Sequence, residues 1–236
     1  MAQKKLLRFA QIKEFNNVFE YPQNMQGAWR KHFKNNHPVL LELACGRGEY
    51  TVNLAQLHQQ KNCIGIDVKG NRMYIGAKKA LDNNIENAAF LRTQIEKLPE
   101  YFEQEEVDEI WITFPDPQLR LSKAKKRLTH PRFLRLYQKV IKPYGPIHLK
   151  TDSPQLYDFT KKVIGMYGLH LLEDSNDAYA MENISDELKI KTHYESLDIA
   201  GSKKIHYLKF TLPDVIVDMD KQLQKEIEQE AVESSF

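Results

Sequence analysis

Asp116 stands between Pro115 and Pro117 at the end of an apolar run, and seven basic residues occupy the sixteen positions from Arg120 to Arg135 without an acid among them. Each proline fixes its own φ, and Pro117 also restricts Asp116 to extended conformations. That predicts a carboxylate held in place without needing hydrogen bonds from its neighbours, suited to reading the edge of a base. Arg120, Lys123, Lys125, Lys126 and Arg127, continued by Arg132 and Arg135, would repel one another on a bare surface. They favour a polyanion such as a nucleic-acid backbone, and Lys4, Lys5, Arg8 and Lys13 add to that charge. The bland alternative is a solvated helix face.

A second group lies upstream. "LLELACGRGEY" is an apolar strand that runs through Gly46 and Gly48 into a helix, the turn at which α/β folds bring backbone close to a nucleotide or nucleoside. Asp67 ends the next apolar run 19 residues past Gly48, where an acid accepts hydrogen bonds from unphosphorylated ribose hydroxyls. A dinucleotide site would carry a third glycine where Thr51 stands, which disfavours a nicotinamide-dependent oxidoreductase. Glu42, four residues before Gly46, would repel a pyrophosphate but attract a sulfonium or an amino group. S-adenosylmethionine carries both. The plainer readings are a tight turn that caps a helix, and a Glu42 that pairs with a lysine or arginine.

Positioning these groups requires strands that end where they begin. Apolar, β-rich runs at 39–45, 62–68, 88–94, 109–114 and 146–151 alternate with helical patterns at 49–59, 71–83, 98–104 and 131–141, the signature of an α/β fold with a mainly parallel sheet. A further helix follows "KTDS", with Asp152 or Ser153 as its cap and Pro154 in its first turn. Two more strands are expected in "LHLLEDSN" and "KKIHYLKFTL", with a helix or loop-helix between them. Residues 1–35 read as a basic arm outside the sheet, residues 36–213 as the domain, and residues 214–236 as an acidic tail. The tail holds seven acids against two lysines, so it carries −5 and the rest +7 of a net +2. It suits an amphipathic helix, a disordered segment, or a cover for the basic surface.

Two cysteines, Cys45 and Cys63, are too few for a disulfide framework and suit free thiols in a reducing cytoplasm. No apolar run approaches the ~18 residues of a membrane span, and "MAQKKLLRFAQIK" lacks a signal peptide's apolar core. The eight histidines have no metal-ligand spacing, so no metal is expected.

"LELACGRG", "GIDVK", "FPDPQLRLSKAKKRLTHPRFLRLY", "LKTDS", "SND" and "KTHYE" together resemble the TrmB-type tRNA (guanine-N7-)-methyltransferases of bacteria, over most of residues 38–212. The resemblance implies a Rossmann-like class I S-adenosylmethionine-dependent methyltransferase fold, with a mainly parallel seven-stranded sheet and helices on both faces. It implies methyl transfer to N7 of a guanosine in the tRNA variable loop; whether the chain works as a monomer or homodimer is not set by the sequence. Glu42 and Asp67 match cofactor-binding acids, and Gln94 stands where a third is usual, with Glu96 as the alternative. Asp116 matches the catalytic aspartate, beside the cofactor. Asp152, Thr192 and Glu195 match acceptor-binding positions, and Arg120 stands where a lysine is usual. Gln118 replaces a common aromatic. Guanine N7 has a free lone pair, so the reaction needs alignment and charge stabilisation rather than a strong base. Other readings are a different RNA or small-molecule acceptor, and an RNA-binding protein without catalysis.

Overall fold

The computed structural model describes residues 2–197 and 204–233. Its strands are β1 (Val18–Glu20), β2 (Val39–Leu43), β3 (Asn62–Asp67), β4 (Ala88–Arg92), β5 (Glu109–Thr113), β6 (Ile147–Thr151), β7 (His170–Ser175) and β8 (His206–Thr211). They form one sheet in the order β1-β4-β3-β2-β5-β6-β8-β7, parallel except where β8 pairs with β6 and β7. The helices are α1 (Ala2–Gln11), α2 (Trp29–Phe33), α3 (Glu49–Leu57), α4 (Gly70–Asp82), α5 (Pro131–Tyr137), α6 (Pro154–Met166), α7 (Asp186–Lys189), α8 (His193–Ser196) and α9 (Asp220–Glu233).

Strand β2 is buried along its whole length, which explains an almost unbroken apolar run rather than an alternating one. The period of two still sorts its side chains. Leu41 and Leu43 join the core that includes α5 and α6 residues, while Leu40 packs with Tyr50, Val52 and Ala77 of α3 and α4. Each fully buried aliphatic side chain contributes about 1.5–3 kcal/mol, so both layers are needed to hold the sheet. Chain direction along the sheet reverses between β2 and β5, and the crevice at their carboxyl ends is the expected ligand position.

Three expectations are corrected. The sheet has eight strands, not seven, because Val18–Glu20 pairs in parallel with Phe90–Arg92 and covers the edge of β4. Residues 1–35 are accordingly not a separate arm: Ile12 and Trp29 are fully buried, and Trp29 stacks on Phe102 and donates from Nε1 to Tyr101 O at 2.9 Å. A polar composition concealed this, since a few aromatic anchors suffice to dock the segment. The 98–104 helix is instead a 3-10 turn at Ile95–Glu100 with Pro99 inside it.

Residues 220–233 of the acidic tail form α9, which buries Leu223 and Ile227 and pairs Asp220 with Arg135 at 2.8 Å. Cys45 and Cys63 are free and buried. The side chains of Lys4 and Lys5, and Lys203 of the last expected strand, lie outside the described residues. Among those described, no helix is long and apolar enough to cross a membrane, and no group of three or more metal-ligating side chains occurs.

Candidate active site

The glycine turn depends on backbone that other residues rarely adopt. Gly46 and Gly48 have φ of +54° and +69°, and a Cβ on Gly48 would stand 2.3 Å from a ring carbon of Phe90. Gly48 therefore supports the turn from behind, while Gly46 faces the cavity. Asp67 ends β3 and accepts from the backbone N–H of Gly46 at 2.9 Å and of Lys69 at 2.8 Å, so this acid braces the loop that it faces.

Glu42 is buried and lines the same cavity. Its carboxylate accepts from Thr51 N–H at 2.7 Å, from the Thr51 hydroxyl, and from Thr113 Oγ1 at 2.7 Å. Among the described residues these are its hydrogen-bond partners, not a lysine or arginine. Thr51, in sequence only a missing glycine, supplies two of the three. Burial pushes the Glu42 carboxyl up to about 7 against those hydrogen bonds, and the nearby Asp67 charge adds to the rise.

Strand β5 delivers Asp116. Phe114 and Gln118 on either side have φ of +46° and +48°, and Ala44 in the glycine turn has +57°. Non-glycine residues in this region store strain, and two of these, Ala44 and Phe114, line one crevice. Gln118 N–H donates to Asp116 Oδ1 at 3.0 Å, a hydrogen bond that adds to the restraint of the two prolines. Proline geometry alone did not reveal that turn. Ser153, not Asp152, caps α6 by accepting from Leu156 N–H at 3.2 Å. Asp152 lines the cavity instead.

The cavity holds about 780 Å³ and gathers Glu42, Gly46, Asp67, Asp116, Asp152 and Thr192. Its size suits a nucleoside-sized ligand together with part of a second reactant. Besides Gly48 and the cations from Lys123 to Arg127, four expected residues lie apart from its lining. Gln94 is exposed beyond β4, and Glu96 pairs with Arg132 at 3.5 Å, so neither reaches the crevice. Arg120 is exposed on the loop that follows Asp116. Glu195 points to Lys150 Nζ at 3.1 Å and to the Tyr179 hydroxyl.

Among the cations, Lys125 and Lys126 are exposed and Lys123 half-buried on the 3-10 segment Leu121–Lys126. Arg127 departs from the expected surface role: it is 7% exposed, lies over the Phe159 ring at 4.4 Å, and donates to Gln118 O at 3.4 Å. The spacing of charges could not show which one turns inward. Sequence reasoning also passed over Arg47, Lys69, Arg72 and Leu119, which line the cavity, and the buried Lys150. A lysine within the apolar run "IHLKT" was the available signal for the last.

A buried acid beside the glycine turn, an acid at the end of β3, and a crevice at the sheet's reversal fit S-adenosylmethionine. Glu42 and Asp67 both line the cavity, where the first could meet its cationic end and the second its ribose. Fold and site define a class I methyltransferase whose methyl donor is S-adenosylmethionine. Residues 36–208 match a family described as "Putative methyltransferase". A tRNA (guanine-N(7)-)-methyltransferase of Bacteroides thetaiotaomicron is 42% identical over 97% of this chain and 93% of its own, and that of Porphyromonas gingivalis 44% over 89% and 93%. At that identity and coverage, the chain belongs to the tRNA (guanine-N(7)-)-methyltransferase family. The crystal structure of the 16S rRNA methyltransferase KamB has the same fold, with a TM-score of 0.60 at 16% identity over 79% of this chain and 93% of that one.

Proposed function

We propose that this chain transfers the methyl group of S-adenosylmethionine to N7 of a guanosine in the tRNA variable loop. One observation carries the reading: Asp116 and Asp152 open onto the cavity that Glu42 and Asp67 line, next to a loop of exposed cations. Family membership supports the reaction, and the relatives' names supply N7 and tRNA. The bound cofactor supplies an electrophilic methyl on a sulfonium. Glu42, Gly46 and Asp67 hold it, with Asp116 at the boundary between cofactor and acceptor.

Asp116 and Asp152 accept from guanine N1–H and the N2 amino group. Those contacts strengthen as the purine becomes cationic and discriminate against adenine. Thr192 completes the acceptor wall, and Arg120, Lys123, Lys125 and Lys126 hold tRNA phosphates. Residues 36–213 carry the reaction, flanked by the basic N-terminal and acidic C-terminal segments. The enzyme works in the cytoplasm as a monomer or homodimer. Its two buried thiols suit a reducing compartment.

The test is transfer of labelled methyl to unmodified tRNA with nucleoside analysis, beside a transcript whose variable-loop guanosine is adenosine. Label in 7-methylguanosine, absent from the changed transcript, is expected. Label in another nucleoside would reject the acceptor.

A further inference from the structure

Of the described residues 178–197, Thr192 lines the cavity, and the segment that carries it is a set of short helical turns held largely by polar ties. Lys150 of β6 is at the centre of these ties and is fully buried. Its Nζ donates to Leu188 O at 2.9 Å, Ile190 O at 2.8 Å and Glu195 Oε2 at 3.1 Å, with the Tyr179 hydroxyl at 3.3 Å. An ammonium has three N–H donors, and three closest acceptors meet it. A neutral amine, with two donors, would leave one acceptor unsatisfied.

The same residue reaches the reaction loop. Lys150 is paired in register with Thr113, whose hydroxyl holds Glu42, and its carbonyl accepts from Phe114 N–H at 2.8 Å. Its ammonium also stands 5.4 Å from the Phe114 ring centroid. Helix α3, which starts just after the glycine turn, pins the wall from another direction: the Tyr50 hydroxyl donates to Glu187 O at 2.7 Å, and Glu49 accepts from His193 N–H at 2.9 Å. The segment bearing Thr192 is thus tied, through β6, to the strand that leads to Asp116 and, directly, to the helix whose Thr51 holds Glu42.

Resting on the reading of this cavity as the guanosine site, we propose that Lys150 is a positioning residue for the methyl acceptor. Its ammonium gathers the Leu188 and Ile190 carbonyls and the Glu195 carboxylate, and so holds Thr192 on the cavity wall with the Asp116 loop. Glu195 then serves the acceptor through Lys150 and Tyr179, not by facing the cavity itself. A shift of about 1 Å in such a wall costs on the order of 100-fold in rate.

Lys150→Met, Glu195→Gln and the double variant test this by three readouts: S-adenosylmethionine affinity by calorimetry, steady-state kinetics with unmodified tRNA at saturating cofactor, and hydrogen exchange of backbone amides. Lys150→Met is expected to lower kcat/KM roughly 10-fold or more, mainly through KM for tRNA, with cofactor affinity within about twofold of wild type. Amides of residues 186–197 should exchange faster while those of β2 and β3 do not change. The double variant should be no worse than Lys150→Met, because both changes break one contact.

A Lys150→Met enzyme with kcat/KM within about twofold of wild type, or losses that multiply in the double variant, would overturn the proposal. If Lys150→Met does not fold, Glu195→Gln and Tyr179→Phe decide: wild-type kcat/KM in both overturns it, and a loss with cofactor affinity retained supports it. Failure of the functional reading would look different. Wild-type enzyme would then form no 7-methylguanosine, while exchange in the wall still reports on Lys150.

Discussion

Replacing Glu42 with glutamine should stabilise the free protein while impairing its cofactor site. The Glu42 carboxyl lies at about 7 in the folded chain against 4.5 for an ordinary glutamate, chiefly because burial penalises the charged form. A gap of about 2.5 units corresponds to about 3 kcal/mol, at 1.36 kcal/mol per unit. The folded state binds the extra proton between these two values, so stability falls as pH rises from about 4.5 through 7. The whole penalty is present at pH 8 and absent at pH 4.5. Glutamine keeps the size, an acceptor for Thr51 and a donor for the Thr113 hydroxyl, without the charge.

Calorimetric melts of wild type and Glu42→Gln at pH 5 and pH 8, without cofactor, measure the effect. The gain in stability from the substitution should be larger at pH 8 by about 2–3 kcal/mol, or roughly 4–12 °C for a chain of this size. In parallel, affinity for S-adenosylmethionine should fall at least roughly 10-fold, since a buried carboxylate opposite a cation is lost. Wild-type affinity should rise between pH 6 and 8 as Glu42 ionises. If the two proteins respond to pH within about 0.5 kcal/mol of each other, Glu42 does not titrate in this window and the argument from burial is refuted.

Asp116→Asn should reduce kcat by about 100–1000-fold with S-adenosylmethionine binding retained, and full turnover at unchanged tRNA affinity would remove Asp116 from charge stabilisation. Lys125→Ala and Lys126→Ala should each lower the slope of log affinity for tRNA against log salt by about 0.7–0.9, whereas Arg127→Ala should chiefly lower the melting temperature because its side chain is packed on Phe159. Burial alone would raise the Glu109 carboxyl, but His148 at 3.2 Å and Lys61 at 2.8 Å hold it down at about 2. Burial lowers the His148 pKa as well, so that ring gains charge only in acid. The stability from Glu109 is therefore present above pH 4.5 and lost as pH falls through 2. Urea titrations at pH 6 and pH 3 should show Glu109→Gln narrowing the wild-type loss by an amount on the order of 1–2 kcal/mol.

Much of this protein is determined by short windows of its sequence. The run before Gly46, Asp67 at the end of the next run and Asp116 after the fourth each place chemistry at a strand's carboxyl end, because strand patterning and turn geometry are set by neighbours in the chain. Pro154 after Ser153 likewise marks the start of α6 locally. Tertiary structure alone decided which distant segments meet. It brought Val18–Glu20 against β4, turned Arg127 inward onto Phe159 while Lys125 and Lys126 stayed in solvent, assigned Glu195 to Lys150, and made Thr51 the support of Glu42. Residue type and spacing are silent on such pairings. A lysine, arginine or glutamate reads alike in solvent and in a buried contact, and only a packed interior, which requires each buried charge to find its partners, tells them apart.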